Sequence, residues 1–435
     1  MGKIWHHIIL LLGLVVVIWV SANLNWNPKS WNSIVASDGK GYYAYLPATF
    51  IYQDLNFGHF EEMEQGKYYT PNYFYDYRRG EKGKYVNKYF CGVAFLQTPF
   101  YLLGHVWAGL SGTETDGYAR PYVQAVHIGT ICYLVLGMIF LMKLLALYQV
   151  SSLHQVWVVL VFTFATNLNM YVVEEPMMSH VFNFSLITLF LYACKRFFLY
   201  EESGSFLWAA WFFGVILILR PVNGLILGFL PFLAGGMGPL WKSIQHISWA
   251  NWLGAVGLVG GMISVQLGIY YIQTGNILVY SYPDEGFNFL NPHFWQSLWS
   301  YKKGLFVYTP VLLLAYFLGS FYLWEERRVE WLSWTLFFVL LMYILSCWSN
   351  WYYGGSFGYR PVIDYYACFA ILLGLGLKGL SQNWQRWLVF VMLFAALAVN
   401  QIQMYQYRHQ VIPYEGMTKE MYWDNFLRID RLIGK

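Results

Sequence analysis

Long apolar runs alternate with short polar connections along most of the chain. The runs are approximately residues 4–20, 122–147, 156–171, 178–200, 206–219, 222–233, 252–272, 305–323, 332–347, 362–380 and 387–402. Many of them approach the roughly 20 apolar residues that a helix needs to cross the hydrocarbon core of a bilayer. The pattern predicts an all-α polytopic membrane protein with about eleven transmembrane helices, forming one transmembrane domain over residues 1–435.

Residues 21–120 interrupt this pattern. Up to residue 90 they are polar, aromatic and mixed in charge, without a run that could span a membrane. We expect a long first external loop whose short helices lie on the membrane surface. Residues 92–110 are long enough to span but contain Gln97, Pro99 and His105. We interpret them as an interfacial or re-entrant helix, because the distribution of basic residues then follows the usual bias.

Basic residues favour cytoplasmic loops. If residues 92–110 do not span, the inside loops carry Lys143, Lys195, Arg196, Lys242, Arg327, Arg328, Lys378 and Arg386. The short outside loops carry only Arg220, Lys302, Lys303 and Arg360. This places the N-terminus inside and residues 403–435 outside as a C-terminal tail. The first run is interpreted as a retained signal-anchor; a signal peptide cleaved near Val20-Ser21-Ala22 is the alternative, and both place Asp38 outside.

The composition agrees with a membrane protein and excludes several other classes. The chain is 58% hydrophobic and 11% charged, whereas soluble domains carry about 25% charged residues. A net charge of +4 is too small to indicate nucleic-acid binding. The five cysteines form no CxxC pair, so the sequence predicts neither a metal site nor a disulfide framework. Aromatic residues make up 21%; most suit the membrane boundary, and those in polar loops can stack on sugars.

Four polar loops can lie on one side of the membrane, at residues 37–43, 174–176, 300–304 and 351–360. The first contains Asp38, which we consider a candidate general base. Partial burial among aromatic rings would raise the pKa of such a carboxyl group towards the range useful for catalysis. Gly39 and Gly41 would let the backbone approach a substrate. The alternative is an aspartate that caps a helix beginning near Tyr42.

The second loop contains Glu174 and Glu175, followed by Pro176. These acids either complement the dipole of the next helix or take part in acceptor binding. His180 lies one turn further on and is either a buried core residue or a ligand for a phosphate or sugar hydroxyl. Arg220 separates two short apolar runs, where an arginine costs about 2.5–3.5 kcal/mol and needs an anionic partner. That partner is either a substrate or one of the two glutamates.

The remaining candidates are cations and one aromatic. Lys302 and Lys303 precede an apolar run, where they either snorkel to the interface or bind phosphate. Arg360 ends a loop with three glycines, whose amides can help a guanidinium to grip phosphate oxygens; a tight connection before Pro361 is the alternative. Among the basic residues of the external loop, which include Lys82, Lys88 is best placed to reach a site at the membrane surface.

Three motifs together carry a resemblance to a known family. They are Ser37-Asp38-Gly39-Lys40-Gly41-Tyr42-Tyr43, then Asn87-Lys88-Tyr89-Phe90-Cys91-Gly92 running into Gln97-Thr98-Pro99-Phe100, and residues 351–360. In this order the chain resembles the GT-C superfamily of integral membrane glycosyltransferases, particularly the bacterial protein mannosyltransferases and lipid A aminoarabinose transferases. It departs from them in two ways: Asp38 stands without a second acid, and Lys88-Tyr89-Phe90 replaces the usual Lys-Pro-Pro.

The resemblance implies a function and a compartment. Asp38 matches the essential acid of the family's first external loop. The expected reaction is inverting transfer of a sugar from a polyprenyl-phosphate donor to a lipid, glycan or protein acceptor, on the periplasmic or extracellular face of a bacterial inner membrane. Arg360, Arg220 and Lys302 or Lys303 would hold the phosphate.

Aromatic residues would form the sugar platform, with Tyr42, Tyr43, Trp351 and Tyr352 as candidates. We expect no metal cofactor and no nucleic-acid partner. The alternatives are a lipid or small-molecule transporter or flippase, a polysaccharide polymerase or ligase that uses diphosphate donors, and a non-catalytic assembly subunit.

Overall fold

The computed structural model of the protein describes residues 2–81 and 84–432. Lys82 and the last three residues of the predicted tail therefore lie outside the described residues. The first part of the chain contains α1 (Gly2–Asn25), α2 (Asp38–Phe50), α3 (Phe60–Glu62), β1 (Arg78–Glu81), β2 (Lys84–Asn87), α4 (Gly92–Leu110) and α5 (Arg120–Leu147).

The rest of the chain is helical. Its α-helices are α6 (Ser152–Phe164), α7 (Leu168–Val173), α8 (Ser179–Tyr200), α9 (Ser203–Leu219), α10 (Leu230–Ala234), α11 (Met237–Gln245), α12 (Trp249–Thr274), α13 (Phe294–Trp299), α14 (Leu305–Tyr308), α15 (Pro310–Glu326), α16 (Arg328–Ser346), α17 (Tyr366–Gly379), α18 (Asn383–Arg408) and α19 (Lys419–Asn425). Short 3₁₀ or π helices cover Trp31–Ser33, Met63–Lys67, Pro71–Tyr73, Pro221–Phe229, Arg360–Tyr365 and Asp430–Leu432.

The long helices run between two ends of a bundle. At one end, Lys195 donates from Nζ to the carbonyl of Leu233 (2.8 Å), and Lys378 donates to the carbonyl of Tyr148 (3.3 Å). These contacts gather basic residues that the sequence predicts to be cytoplasmic. We call the opposite end, at which α8 begins and α9 and α18 end, the site end.

The external segment leaves the site end and returns to it. Side chains at the start of α5, Arg120 and Gln124, both donate to the carbonyl of Trp26, which directly follows α1. Residues 26–119 therefore begin and end at the same end of the bundle. Within them, α4 packs along the first half of α5, where Gln97 donates to the carbonyl of Val126 (2.8 Å). The interfacial or re-entrant placement of α4 in the membrane stays a prediction.

Apolar helices dominate the fold, and the predicted all-α polytopic class is confirmed. Length and composition suit seven helical segments for membrane crossing, Ile8–Asn25, Arg120–Leu147, Ser179–Tyr200, Trp249–Thr274, Arg328–Ser346, Arg360–Gly379 and Asn383–Arg408. An eighth is a pair bent by 101°, Pro221–Ala234 with Met237–Gln245. Among the described residues α4 does not meet these criteria. The number of eleven spans stays a prediction.

Some predicted runs are not single α-helices. The run at 156–171 is split, because α6 ends at Phe164 and α7 begins at Leu168. The run at 222–233 is a 3₁₀ helix followed by α10, which is consistent with Pro231 removing a backbone donor. Helix α18 extends to Arg408 rather than residue 402, so the predicted tail begins as a helix.

The external segment contains a β-hairpin that the sequence interpretation did not foresee. Strands β1 and β2 pair antiparallel with Arg79 opposite Val86. Gly80 in the first strand has a φ of +134°, a conformation that other residues rarely adopt. Beyond β2 the backbone amide of Lys88 donates to the carbonyl of Tyr77 (2.9 Å), which fixes where Lys88 leaves the hairpin.

Candidate active site

A cavity of about 410 Å³ opens at the site end. Its walls come from the start of α2, the segment before α4, the start of α8, the end of α9, the loop between α12 and α13, and the loop before α17. The charged residues in its lining are Asp38, Lys88, Arg220, Glu285 and Arg360, and His180 lines it as well. The structure thus brings five of the ten predicted site residues to one cavity.

Asp38 and Arg360 form an ion pair in this cavity, although 322 positions separate them in the sequence. Arg360 Nη2 lies 2.9 Å from Asp38 Oδ2, and the Tyr89 hydroxyl donates to Asp38 Oδ1 at 2.6 Å. Burial opposes ionisation of the carboxyl group, but the guanidinium and the hydroxyl outweigh it, and the pKa of Asp38 lies below its ordinary value. The expectation of a raised pKa is therefore wrong.

The glycines around Asp38 make room for protein side chains. A Cβ atom added to Gly41 would lie 2.2 Å from Cδ2 of Tyr89, and one added to Gly39 would lie 3.0 Å from Cβ of Met177. Gly41 thereby lets Tyr89 reach Asp38, which corrects the expectation that both glycines admit a substrate. Helix α2 begins at Asp38, so this residue does not cap a helix starting near Tyr42.

A second ion pair joins Arg220 to Asp364. Arg220 Nη1 lies 3.0 Å from Asp364 Oδ2, which also accepts a hydrogen bond from Asn223 (2.7 Å). The alternative in which Glu174 or Glu175 is the partner of Arg220 is therefore wrong. Asp364 was missed because the run at 362–380 was interpreted as a transmembrane helix only. A lone carboxylate inside such a run is itself a signal of a functional site.

The third cation of the cavity is also paired. Lys88 Nζ lies 2.7 Å from Glu285 Oε1, and Trp348 Nε1 donates to Glu285 Oε2 at 3.0 Å. Each cation in the lining thus has a carboxylate partner from a distant part of the sequence. A bound anion would compete with these carboxylates for the same N–H donors.

Four predicted site residues have other partners and are not part of the cavity lining. Arg408 binds Glu174 (2.8 Å) and joins α18 to the loop before α8. Lys303 donates to the carbonyl of Tyr414 (2.5 Å), and the Lys302 ammonium lies 3.2 Å from the ring centre of Tyr352. Burial and neighbouring cations lower the pKa of Lys303 to about 7. These contacts fasten the tail and the neighbouring loops.

The predicted sugar platform is also revised. Tyr42 lines the cavity, whereas Tyr43 is buried and donates to the carbonyl of Gly117 (2.5 Å). Tyr353 lines the cavity in place of Trp351 and Tyr352. The backbone of Tyr353 has a φ of +57°, a strained value for a tyrosine, and this conformation could not be foreseen from the loop sequence.

Glu175 lies beside the ion pair without being part of the cavity lining. Its Oε2 atom is buried and has no hydrogen-bond partner among the described residues. Burial raises the pKa of Glu175 to about 7, and the charge of Arg360 only partly opposes this effect. The group therefore titrates near neutral pH, and each ionisation adds a negative charge close to Arg360 and Asp38.

This titration predicts a pH-dependent affinity for anionic ligands. Between pH 6 and pH 8 Glu175 loses its proton, so the affinity of the cavity for a lipid phosphate should fall as pH rises. We expect a loss on the order of 1 kcal/mol, or about fivefold. Binding of a polyprenyl-phosphate sugar, whose phosphodiester keeps a single negative charge across this range, should depend less on pH in Glu175→Gln than in the wild type. Glu61→Gln, which alters a carboxylate paired with Arg78 in the external segment, should keep the dependence. An unchanged profile in Glu175→Gln would contradict this assignment.

An apolar groove of about 580 Å³ adjoins the cavity. The two share Phe90, Pro221, Val279 and Tyr280 in their linings. The groove lies between α9 and α12 and is otherwise almost entirely apolar. Among the described residues that line it, Gln266 is the one amide, and it accepts a hydrogen bond from the backbone of Cys91 (2.8 Å). The arrangement suits a ligand with a charged head and an apolar tail.

Comparison with solved structures identifies the architecture. The chain matches the crystal structure of ArnT from Cupriavidus metallidurans bound to undecaprenyl phosphate, with a TM-score of 0.53 and 12% sequence identity. The match covers 93% of this chain and 67% of ArnT. The chain has the GT-C fold. The fold suggested by the resemblance of its motifs is thereby confirmed.

Another GT-C structure also matches the chain. It is the archaeal oligosaccharyltransferase AglB from Archaeoglobus fulgidus, in complex with an inhibitory peptide and a dolichol-phosphate. The TM-score is 0.47 at 10% identity, over 99% of this chain and 54% of AglB. No protein-family model and no curated protein sequence matches the chain.

Proposed function

We propose that this GT-C protein is an inverting glycosyltransferase that moves a sugar from a polyprenyl-phosphate donor to an acceptor hydroxyl on the non-cytoplasmic face. One observation carries the proposal: two carboxylates and three cations line a cavity that adjoins an apolar groove. The fold adds support, since the matching ArnT structure holds undecaprenyl phosphate. The acceptor is a lipid, a glycan or a protein, and a bacterial inner membrane is the proposed location.

The donor would bind with its lipid tail in the groove and its headgroup in the cavity. Arg360, Arg220 and Lys88 supply N–H donors for the phosphate oxygens. A polyprenyl-phosphate sugar is a phosphodiester with a single negative charge, and its phosphate gains a second one as the sugar leaves. Positive groups fixed around the phosphate oxygen that leaves the sugar stabilise the transition state more than the ground state, which is the condition for catalysis.

The proposed reaction is a single displacement. The acceptor oxygen attacks the anomeric carbon from the face opposite the phosphate, so a new C–O bond forms while the bond to the phosphate oxygen breaks. The departing phosphate keeps the bonding electrons, and Asp38 takes the proton of the acceptor hydroxyl. The configuration at the anomeric carbon is thereby inverted.

The ion pair between Asp38 and Arg360 would make donor binding precede the activation of Asp38 as a base. The ion pair with Arg360 makes Asp38 a weak base. A donor phosphate that draws Arg360 towards itself would free the carboxylate and raise its basicity. Asp38 would thus become an effective base only when the donor is bound.

The proposed reaction uses arginine and lysine where other transferases use a divalent metal. Among the described residues no three His, Cys, Asp or Glu side chains converge as metal ligands. We predict that EDTA leaves the transfer rate unchanged in purified protein. A loss of activity that Mg²⁺ or Mn²⁺ restores would contradict this part of the proposal.

The function is tested with purified protein in lipid vesicles and a panel of polyprenyl-phosphate sugars. We expect release of the free polyprenyl phosphate and a glycoside of inverted configuration. Activity only with diphosphate donors would favour a polymerase or ligase. Movement of a labelled lipid between leaflets without a new glycoside would favour a flippase. Loss of partner association alone in cavity variants would favour an assembly subunit.

A further inference from the structure

A buried histidine–aspartate pair borders the cavity. His180 belongs to its lining, and Nδ1 of His180 lies 2.8 Å from Oδ1 of Asp364. Only 3% of the surface of His180 and none of that of Asp364 is exposed. The reaction proposed above gives this pair no task, although a buried carboxylate is costly to maintain.

Asp364 determines which nitrogen of His180 carries a proton. An ionised carboxylate only accepts hydrogen bonds, so His180 must donate from Nδ1. The other oxygen of Asp364 already accepts from Arg220 (3.0 Å) and Asn223 (2.7 Å). Arg220 balances the charge of the carboxylate, so a second positive charge on the imidazole is disfavoured in this buried place. His180 is then a neutral ring with its proton on Nδ1.

The remaining nitrogen, Nε2, carries a lone pair and accepts hydrogen bonds. Phosphate oxygens are acceptors too, so this nitrogen does not suit them. A hydroxyl group suits it, because its hydrogen points to the acceptor. Arg220, which shares Asp364 with His180, also lines the cavity and offers N–H donors. Asp364 thus holds two groups side by side: Arg220, which can donate to a phosphate, and His180, which can accept from a hydroxyl group.

We infer that His180 and Asp364 recognise a hydroxyl group of the donor sugar, with Nε2 of His180 accepting its hydrogen. The inference rests on the proposed function, since it takes the ligand of the cavity to be a sugar on a lipid phosphate. His180 then determines specificity, and Asp364 is a positioning residue that sets the tautomer and the ring orientation. A donor that lacks this hydroxyl leaves Nε2 unpaired, and such sites discriminate strongly against the deoxy analogue.

The test compares a donor that the wild-type protein uses with analogues lacking one sugar hydroxyl each. We expect one analogue to have a kcat/KM about 10- to 100-fold lower than the parent donor. His180→Ala should use the parent donor poorly and no longer distinguish it from that analogue. His180→Gln, whose amide oxygen can also accept a hydrogen bond, should restore part of the preference. His105→Ala is the control, because His105 pairs with Tyr122 and is not part of the cavity lining.

A second readout reports on the pair itself. Nitrogen-15 NMR of histidine-labelled protein in lipid nanodiscs should show His180 protonated on Nδ1 and not on Nε2 at neutral pH. The signal is assigned by its loss in His180→Gln. A doubly protonated ring, or one protonated on Nε2, would overturn the inference whatever the substrate.

The kinetic outcomes separate this inference from the proposed function. Equal use of all deoxy analogues by active wild-type protein overturns the inference and leaves the function standing. An equal fall in kcat for every donor in His180→Ala also overturns it, since the imidazole would then act on the acceptor. Absence of transfer from every donor refutes the function, and the sugar contact with it.

Discussion

Replacing Asp38 by asparagine is expected to lower the rate of sugar transfer by about 10²- to 10⁴-fold, the usual contribution of a general base. The substitution keeps the size of the side chain. It also keeps an oxygen that can accept the hydrogen bond that the Tyr89 hydroxyl donates to Asp38 at 2.6 Å. It removes the negative charge that holds Arg360. Donor binding should therefore be equal to that of the wild type or tighter, while the chemical step fails. Single-turnover kinetics with a labelled donor separates the two effects.

The chain offers a matched control for this substitution. Asp116 lies in the same external segment and also accepts from a tyrosine hydroxyl, that of Tyr68 (2.7 Å), and from a cation, Lys67 (2.8 Å). It does not line the cavity. Asp116→Asn should keep transfer near the wild-type rate. Near-normal transfer by Asp38→Asn, in protein that folds and binds donor, would refute the role of Asp38 as base.

Replacing Arg360 by glutamine is expected to lower kcat/KM by about 10²- to 10³-fold, the effect of removing one donor to a developing negative charge. The loss has two parts. The ground-state phosphate loses an ionic partner, which raises the donor KM. The leaving phosphate loses stabilisation, which lowers kcat. Asp38 loses the guanidinium that lies 2.9 Å away, so the pKa of this carboxyl group should rise. As pH is lowered, Asp38 is then protonated, and activity is lost, at a higher pH than in the wild type.

Arg408 is the control for this second substitution. It also pairs with a carboxylate, Glu174, at 2.8 Å, but outside the cavity lining. Arg408→Gln should have a donor KM close to that of the wild type. If Arg360→Gln had the same donor KM and kcat as this control, Arg360 would not contact the phosphate.

The sequence alone predicted the shared location of Asp38 and Arg360, and the reason is topological. Asp38 follows the first apolar run, and Arg360 precedes the run at 362–380. The number of runs between them and the bias of basic residues towards cytoplasmic loops place both residues on one side of the membrane. The predicted side of the membrane depends on hydropathy and charge summed over many residues, so an error in the bounds of one helix does not change it. The broken helix at Pro221–Phe229 and the short β-hairpin did not change the side on which these loops lie.

Pairwise contacts could not be predicted in the same way. The partner of Arg220 is Asp364, 144 positions away, and choosing it over Glu174 or Glu175 requires knowledge of how the helices pack. Lys303 carries the positive charge expected of a phosphate ligand, but its ammonium group donates hydrogen bonds to backbone carbonyls instead. The pKa of Asp38 depends on the balance between burial and one guanidinium, which only the folded arrangement sets.

The proposed donor site is tested most directly by a cryo-EM structure of Asp38→Asn with a polyprenyl-phosphate sugar bound. We expect the phosphate to contact Arg360, together with Arg220 or Lys88, and the lipid tail to follow the groove past Phe90. The anomeric carbon should face the substituted side chain. A headgroup bound elsewhere, for example among the basic residues around Lys195 and Lys378, would contradict it.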